Sequence, residues 1–540
     1  MRLRLLLTFC ATLAACASPS APAAVAVSPV NKMAPAVPPT PSADSAPSDW
    51  QLLDAVTDSV QGTGIRRAER ELLAGRTPAR TVVVAVIDGG VDTAHADLRT
   101  QLWRNERETP NGRDDDGNGY ADDTWGWNYI GGADGRNVDV ETLELTREYA
   151  RCTKTATSAP PECATIKAAF EAKRVEAEQE ATQLQQMATV YARVISVLRT
   201  TLGGDSVTPE RVAAIVPAND TVAAAQDIYM RLEADGITGK AIEEASQDAE
   251  RRLTYGLNPE YNPRTIVGDD PTNGADRRYG NRDVTGPDAG HGTHVAGIIG
   301  AARGNEGIDG AATSVRLMAV RAVPNGDERD KDVANAIRYA VDNGAHIINM
   351  SFGKDYSPEK HLVDEAVKYA DSKGVLMVHA AGNDGKNLAT EHNYPSPAYL
   401  GGGRAKHWIE VGASSWKGGQ ELAASFSNYG KAEVDLFSPG EDILSTAPGG
   451  GYERNSGTSM AAPVVTGVAA MLMSYFPKLS AADVRQLIIE TAARYPSLMV
   501  LKPGSPNGET VPFSELSVTG GVVDAYAAVK AALARESATP

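Results

Sequence analysis

Uninterrupted apolar runs, rich in β-branched residues, mark the predicted strands of this chain. The first run, TVVVAVI, occupies residues 81–87. Runs of similar texture occupy residues 315–320, 345–350 and 374–378. A short continuous apolar run is typical of a strand that is buried on both faces of a parallel sheet.

Helical spacing of apolar residues fills the intervals between several of these runs. It covers residues 331–343 and 361–373, and a further helix is predicted over 462–476, just after a glycine-rich turn. Strands that alternate with such helices predict an α/β domain in which a parallel sheet is flanked by helices.

Residues 140–258 follow a different pattern. Between Ala164 and Thr200 the apolar positions step by four and three, which predicts one long helix with a heptad-like stripe. These positions are Ala177, Ala181, Leu184, Ala188, Tyr191, Ile195 and Leu198. Shorter helical patterns follow at 220–234 and 239–254. We predict an α-helical subdomain that divides the α/β domain into residues 49–139 and 259–540.

The N-terminus has the pattern of an export signal. Arg2 and Arg4 precede an apolar stretch, residues 5–15, which is too short to span a bilayer as a stable helix. The sequence Leu-Ala-Ala-Cys that ends at Cys16 resembles a bacterial lipobox, in which the cysteine is acylated. Residues 1–15 are therefore expected to be a lipoprotein signal peptide. The alternative is an ordinary secretory signal with Cys16 lost or unmodified.

Residues 16–48 are expected to be a tether behind the lipidated cysteine. Eight prolines lie within residues 17–48, among alanine, serine and valine, with few charges. Such a composition does not support a buried core. The expected location is the bacterial cell envelope, lipid-anchored at the outer membrane or cell surface, with the periplasmic side as an alternative.

Charge and cysteine content narrow the classes of partner and compartment. The chain has 52 Lys and Arg against 69 Asp and Glu, a net charge of −17. This balance argues against nucleic acid as the main partner, because phosphate binding requires excess positive charge.

Of the four cysteines, Cys152 and Cys163 flank a Thr/Ser/Pro-rich segment. A disulfide between them is expected in an oxidising compartment, and two free thiols are the alternative.

Three segments carry candidate catalytic chemistry. Asp88 ends the first predicted strand, His291 opens a helix with the sequence HGTHVAG, and Ser459 begins a helix within NSGTSMAAP. Such positions place side chains outside the carboxyl ends of parallel strands, where α/β proteins bind their ligands. A nucleophile, a base and an orienting carboxylate are the components of a catalytic triad.

These segments resemble the aspartate, histidine and serine signatures of the subtilisin-like serine proteases, or subtilases, and occur in the same order along the chain. The resemblance implies that Asp88 orients His291, that His291 is the general base, and that Ser459 attacks the peptide carbonyl. Protein or peptide substrates are implied, and no cofactor is needed for catalysis. A departure is Gly89, where the family usually has Thr or Ser.

Two further segments extend the resemblance. The sequence AAGN at 380–383 resembles the oxyanion element of the family, so Asn383 is expected to donate its amide to the oxyanion with the backbone N–H of Ser459. The segment Ser351-Phe352-Gly353 resembles the strand that pairs with the substrate backbone. Ala381 and Gly382 are also expected to contact the substrate.

An acidic loop, DDDGNGYADD at residues 114–123, resembles a calcium loop. Position 12 of the pattern is Trp125 instead of glutamate, and Asp123 is the candidate replacement. The alternative is a solvated acidic turn. The expected ligands of a structural Ca²⁺ ion are Asp114, Asp116, Asn118, the carbonyl of Tyr120, Asp122 and Asp123.

Two alternatives to an active peptidase remain at this point. One is a catalytically silent binding scaffold with the subtilase fold, and the other is a structural module built around the helical insertion. The oligomeric state is left open. The remaining histidines show no metal-binding spacing and are interpreted as structural or surface residues: His95, His294, His346, His361, His379, His392 and His407.

Overall fold

A computed structural model describes residues 45–154, 161–234, 236–305 and 307–538 of the chain. The predicted signal peptide, Cys16 and residues 17–44 of the predicted tether lie outside these ranges. The described residues form two compact units. We call residues 145–261 the helical unit, and residues 45–144 together with 262–538 the α/β unit.

Most strands of the α/β unit belong to one nine-stranded sheet, in the order β10-β13-β7-β6-β5-β4-β1-β3-β2. All neighbours in it are parallel except β10 and β13. Two antiparallel pairs, β8–β9 and β11–β12, lie outside it. The strands are β1 Val82–Asp88, β2 Gly126–Asn128, β3 Val315–Arg321, β4 Ile347–Met350, β5 Leu376–Ala380, β6 Trp408–Ser414, β7 Leu436–Pro439, β8 Ile443–Ala447, β9 Gly451–Asn455, β10 Ala493–Arg494, β11 Met499–Leu501, β12 Thr510–Pro512 and β13 Gly521–Val522.

The four apolar runs of the sequence correspond to β1, β3, β4 and β5, which are consecutive neighbours in the sheet. Strand β1 lies between β3 and β4, so that Val84 is paired with Leu317 on one side and Ile347 on the other. The predicted fold class, a largely parallel sheet within an α/β domain, is therefore confirmed.

The helices of the described chain include five in the helical unit, where a short π-helix, Arg252–Gly256, continues α6. The helices are α1 Ile65–Glu71, α2 Glu144–Lys154, α3 Glu162–Thr201, α4 Pro209–Ala213, α5 Asp220–Ala234, α6 Gly239–Arg251, α7 Arg264–Val267, α8 Gly290–Gly300, α9 Asp330–Asp342, α10 Lys360–Ser372, α11 Thr458–Tyr475, α12 Ala481–Thr491 and α13 Ala525–Ala538.

Alternate residues of the sheet enter two separate cores. Val84 and Val86 of β1 pack in a core with α8, α11 and α13, whereas Ala85 and Ile87 pack in a second core with α9 and α10. Burial of both faces explains why the strand sequences are continuously apolar. Helix α11 is long and apolar enough to cross a membrane, but 89% of it is buried here, as expected of a core helix.

The first described residues already belong to the α/β unit. Ala46 is buried in the first core with Trp50, whose indole Nε1 donates to the Glu441 carbonyl at 3.1 Å. Ala46, which lies within the predicted tether, is therefore packed in the core of the α/β unit.

The helical unit is built on α3, a single helix of 40 residues. Helices α5 and α6 pack along it. Ala177, Leu184 and Leu198 of the predicted stripe are buried, and the other predicted positions are only half-buried. Helices α5 and α6 are much shorter than α3, and each covers only part of its length.

A disulfide joins the end of α2 to the start of α3. Cys152 and Cys163 are both buried, and their Cα atoms are 5.4 Å apart. The ring of Tyr149 stacks on Phe170 at a centroid distance of 4.0 Å beside this link. The predicted disulfide is present.

Candidate active site

The carboxyl edge of the sheet gathers every residue predicted for catalysis. Asp88 is the last residue of β1, Ser351 follows β4, and Asn383 lies three residues after β5. His291 and Ser459 are each the second residue of a helix, α8 and α11. In a parallel sheet these points meet at one edge, and helix N-termini there favour negative charge.

Asp88 and His291 form a close pair. The imidazole Nδ1 lies 2.8 Å and 3.0 Å from the two carboxylate oxygens of Asp88. Asp88 is buried and also accepts the backbone N–H of Gly89 at 2.7 Å. A Cβ atom at Gly292 would lie 2.2 Å from the Gly90 carbonyl oxygen, so the start of α8 packs directly against this turn.

The carboxylate of Asp88 also sets the basicity of the imidazole. Partial desolvation of His291 opposes protonation, but the charge and hydrogen bond of Asp88 outweigh it and raise the pKa of His291. Asp288 adds a smaller contribution of the same sign. The pair therefore has the geometry of a base held in one orientation by a carboxylate.

Ser459 is tied to the end of β4. Its Oγ donates to the Ser351 carbonyl at 3.0 Å, and the Ser351 hydroxyl donates to the Ser459 carbonyl at 2.9 Å. Within the described residues Ser459 makes no hydrogen bond to His291. A rotation about Cα–Cβ of Ser459 would release its hydroxyl from the Ser351 carbonyl and re-aim it.

Asn383 is oriented by Thr458, the residue before the serine. The Asn383 Oδ1 accepts the backbone N–H of Thr458 at 2.8 Å and its hydroxyl at 2.9 Å. The same hydroxyl accepts the N–H of Gly382 at 3.0 Å. With its oxygen engaged in this way, the Asn383 Nδ2 has no acceptor in the described part of the chain. Thr458 thus fixes the orientation of the Asn383 side-chain amide.

The residues predicted to contact substrate lie along this edge. Ser351 and Ala381 are buried, Phe352 is half-buried, and Gly353 is exposed. Gly382 has φ of +100°, and a Cβ atom there would lie 2.4 Å from Asn428 Nδ2. A glycine is therefore required for the turn that carries Asn383 away from β5.

A cleft beside the Asp88–His291 pair has acidic walls. Its lining includes Asp139, Asp288 and Asn325. The Asn325 Nδ2 donates to Asp139 at 2.9 Å and to Asp288 at 3.2 Å. Nothing in the sequence motifs singles out these residues, because they come from loops far from β1 along the chain.

Arg321 forms the floor of the same cleft. It is buried and donates to the Gly89 carbonyl at 2.6 Å and the Val138 carbonyl at 2.5 Å. Burial lowers the pKa of Arg321 to about 10, although the charges of the nearby carboxylates act in the opposite direction. The guanidinium therefore fixes the backbone around Asp88.

The acidic loop brings together only part of its predicted ligand set. Oxygen atoms of Glu108, Asp114 and Asp116 lie within 4.8 Å of one another. Glu108 was not predicted, because it precedes the loop motif. Its carboxylate accepts the backbone N–H groups of Asp116 at 3.0 Å and Asp122 at 2.9 Å. Hard oxygen donors of this kind suit Ca²⁺.

The other predicted ligands have different partners. Asp122 accepts backbone N–H groups of Asn111 and Gly112 and pairs with Arg282. Asp123 is buried and accepts from Tyr339 Oη at 2.7 Å.

Two asparagine side chains also contact Asp123. Both Asn105 and Asn118 donate to Asp123, at 2.8 and 3.0 Å. The Asn118 side-chain oxygen in turn accepts the N–H of Tyr120 at 2.8 Å.

Comparison with known proteins places the chain in a family. The profile of the subtilase family matches residues 79–515. A thermophilic serine proteinase of Bacillus sp. (strain AK1) is 44% identical over 204 residues, 37% of this chain and 46% of the relative. Subtilisin BL of Lederbergia lenta is 37% identical over 221 residues, 41% of this chain and 76% of the relative.

A solved structure described as a cold adapted subtilisin-like serine proteinase is 30% identical and covers 44% of this chain and 77% of its own, with a TM-score of 0.34. The first relative is thus matched over less than half of its length, whereas the family profile spans most of this chain. The chain belongs to the subtilase family.

Proposed function

We propose that the protein is a serine endopeptidase that hydrolyses peptide bonds through an acyl-enzyme intermediate. The observation that carries this proposal is the Asp88–His291 pair, with Nδ1 at 2.8 Å from the carboxylate. Family membership and the position of Ser459 at the start of α11 support it. Its substrates would be proteins or peptides, like those of the related proteinases.

Each residue has a distinct task in this mechanism. The Ser459 Oγ attacks the peptide carbonyl carbon while His291 Nε2 accepts its proton, and the imidazolium then protonates the leaving amine. The Asp88 carboxylate accepts a hydrogen bond from the Nδ1–H of His291 and stabilises the imidazolium. Asn383 Nδ2 and the Ser459 backbone N–H, which has no intrahelical acceptor at this position, would bind the oxyanion.

Labelling with a fluorophosphonate probe tests this proposal. An activated Ser459 Oγ attacks the phosphorus and displaces fluoride, so a stable adduct is expected on the parent protein and not on Ser459→Ala. Intact-mass measurement followed by peptide mapping locates the adduct. A parent protein that stays unlabelled and cleaves no peptide would favour a catalytically silent scaffold.

We also propose that the acidic loop binds a structural Ca²⁺ ion. Glu108, Asp114 and Asp116 would supply the carboxylate ligands, because their oxygens converge within 4.8 Å. Asp116 also pairs with Arg107 at 3.0 Å, so a bound cation would add to positive charge that already offsets part of the repulsion among these carboxylates. The ion would hold the loop that follows β1 and would take no part in the chemistry. Calcium titration by isothermal calorimetry of the chelator-treated protein measures this binding directly.

We further propose an exported, lipid-anchored form. The lipobox-like sequence ending at Cys16 and the proline-rich stretch behind it support this location, and a disulfide between Cys152 and Cys163 suits an oxidising compartment. The expected site is the bacterial cell envelope. Expression of Cys16→Ser should move the protein from the membrane fraction to the soluble export fraction. Normal processing with retained membrane binding would show that Cys16 is not the anchor.

A further inference from the structure

His379 in β5 is fully buried and has a hydrogen-bond partner at each ring nitrogen. Nδ1 lies 2.8 Å from Glu410 Oε1, on the neighbouring strand β6. Nε2 lies 2.9 Å from the carbonyl oxygen of Phe352, in the segment predicted to pair with substrate. The proposed catalytic mechanism uses neither His379 nor Glu410.

The partners determine how many protons this pair holds. A backbone carbonyl only accepts, so the Nε2 of His379 must carry hydrogen. A further proton must lie between Nδ1 and Glu410 Oε1, since two bare acceptors would repel at 2.8 Å. Glu410 Oε2 accepts the indole N–H of Trp408 at 2.8 Å, so that oxygen is already satisfied.

The proton count makes the buried pair electrically neutral. It is an imidazolium beside a carboxylate, or a neutral imidazole beside a carboxylic acid, and in both cases Nε2–H faces Phe352. On the β7 side, Asp435 accepts the Glu410 N–H at 2.9 Å and pairs with Arg485 at 2.7 Å.

The segment that His379 contacts is also attached on either side of Phe352. Ser351 exchanges hydrogen bonds with Ser459, and Lys354 forms a β-bridge with Tyr394, so His379 supplies the hydrogen bond at the residue between them. Strand β4 ends at Met350, and residues 351–353 pair with no strand in the described chain. Carbonyl groups alternate in direction along an extended segment. The Phe352 carbonyl faces His379, whereas the Ser351 carbonyl accepts from Ser459 Oγ, so the two carbonyls have different partners.

We propose that His379, together with Glu410, is a positioning residue that anchors the substrate-binding segment 351–353 through the Phe352 carbonyl. The role rests on the proposed endopeptidase function. His379 touches neither the scissile bond nor the triad. It sets the direction in which the Ser351 and Gly353 backbone groups meet an extended substrate, and so it acts chiefly on substrate binding.

Steady-state kinetics on an extended peptide test the role. His379→Leu removes the donor and leaves the Phe352 carbonyl unpaired, so KM should rise roughly tenfold while kcat falls less. His379→Gln restores an N–H donor near the Nε2 position and should recover most of the increase. His407→Leu is the matched control, because His407 makes the same 2.8 Å contact to a carboxylate, Asp371, away from residues 351–353. An unchanged KM in folded His379→Leu, or no recovery in His379→Gln, would overturn the role.

The proton count has a separate readout. In Ser459→Ala protein labelled with ¹⁵N-histidine, both ring nitrogens of His379, or Nε2 alone if Glu410 holds the shared proton, should carry hydrogen. The signals are assigned by their loss in the Ser459→Ala protein that also carries His379→Gln. A ring protonated only at Nδ1 would refute the anchoring contact. A parent protein inert to fluorophosphonate would instead refute the proposed function, and with it the role in substrate binding, whatever the NMR result.

Discussion

The proposed catalytic site at the carboxyl edge of the sheet and the acidic loop at residues 114–123 were both predicted from short motifs, but the predicted residues come together more completely at the sheet edge than in the loop. At the sheet edge, residues as distant along the chain as Asp88 and His291 meet at 2.8 Å. In the loop, Asp114 and Asp122 are close in sequence, yet only Asp114 joins the carboxylate cluster. Position on strand ends and helix starts therefore determines a site more firmly than closeness along the chain.

The largest expected effect is at the sheet edge. Ser459→Ala should lower kcat by about 10⁶-fold, the size of effect known for the triad serine of subtilisin, because the nucleophile is lost with little change in volume. Active-enzyme concentration and peptide turnover measure this. Ser456→Ala is the matched control in the same segment and should keep the parent rate. Undiminished turnover by Ser459→Ala would contradict the assignment of the nucleophile.

The oxyanion donor should have the next largest effect. Asn383→Ala should reduce kcat by about 10²–10³-fold with a small change in KM, a range taken from the oxyanion asparagine of subtilisin. The physical reason is that the Nδ2 donor, aimed by Thr458, acts only once the oxyanion forms. A KM increase with unchanged kcat would show instead that Asn383 binds the ground state.

Removal of Ca²⁺ by a chelator should lower the stability of the folded protein and leave the rate of peptide cleavage nearly unchanged. At a calcium concentration one hundred times Kd, bound Ca²⁺ stabilises the folded state by about 2.7 kcal/mol, so EDTA should lower Tm. Asp116→Ala should remove most of this response. The initial rate of cleavage of a short peptide at low temperature should change little. Both quantities are measured on the same samples with and without EDTA, Tm by scanning calorimetry and the rate by peptidase assay.

The Asp122→Asn variant tests whether Asp122 is a calcium ligand, as the loop motif predicts, or lies outside the ligand set, as its contacts in the structure indicate. Because Asp122 faces Asn111, Gly112 and Arg282, this variant should keep the EDTA-dependent fall in Tm even if its own Tm is lower. If Asp122→Asn abolished the EDTA-dependent fall in Tm, Asp122 would be a calcium ligand, and the ligand set Glu108, Asp114 and Asp116 would be incomplete.

The smallest expected effect is a shift in pH dependence. The negative charge of Asp288 helps to raise the pKa of His291, so Asp288→Asn should lower that pKa. The free base then persists to lower pH, and the acid limb of the kcat/KM profile should move toward lower pH. High salt should reduce the shift, because it screens exposed charges. A limb that moves to higher pH would contradict this coupling.

Sequence predicted the sheet and the proposed triad because each signal is local. A continuous apolar run identifies a buried strand, and Asp88, His291 and Ser459 each lie at an element boundary that the run or the helix spacing marks. The supporting residues carry no such signal. Asp288 and Glu108 gain their importance from contacts between loops.

Other misses have the same cause. His379 resembles any other buried histidine until the Phe352 carbonyl is placed beside it. Thr458 is the exception that sequence could have supplied, since it directly precedes the predicted nucleophile at the start of α11.

The place of β1 between β3 and β4 has a consequence for how the chain folds. Its apolar strand is made early, but its two partners begin at Val315 and Ile347. During synthesis the run from Val82 onward must wait unpaired until more than two hundred further residues have appeared. Such non-local pairing is slow, and an exposed β-branched run favours aggregation meanwhile. A chaperone that assists this topology would therefore have to keep β1 from aggregating until residue 350 has been synthesised.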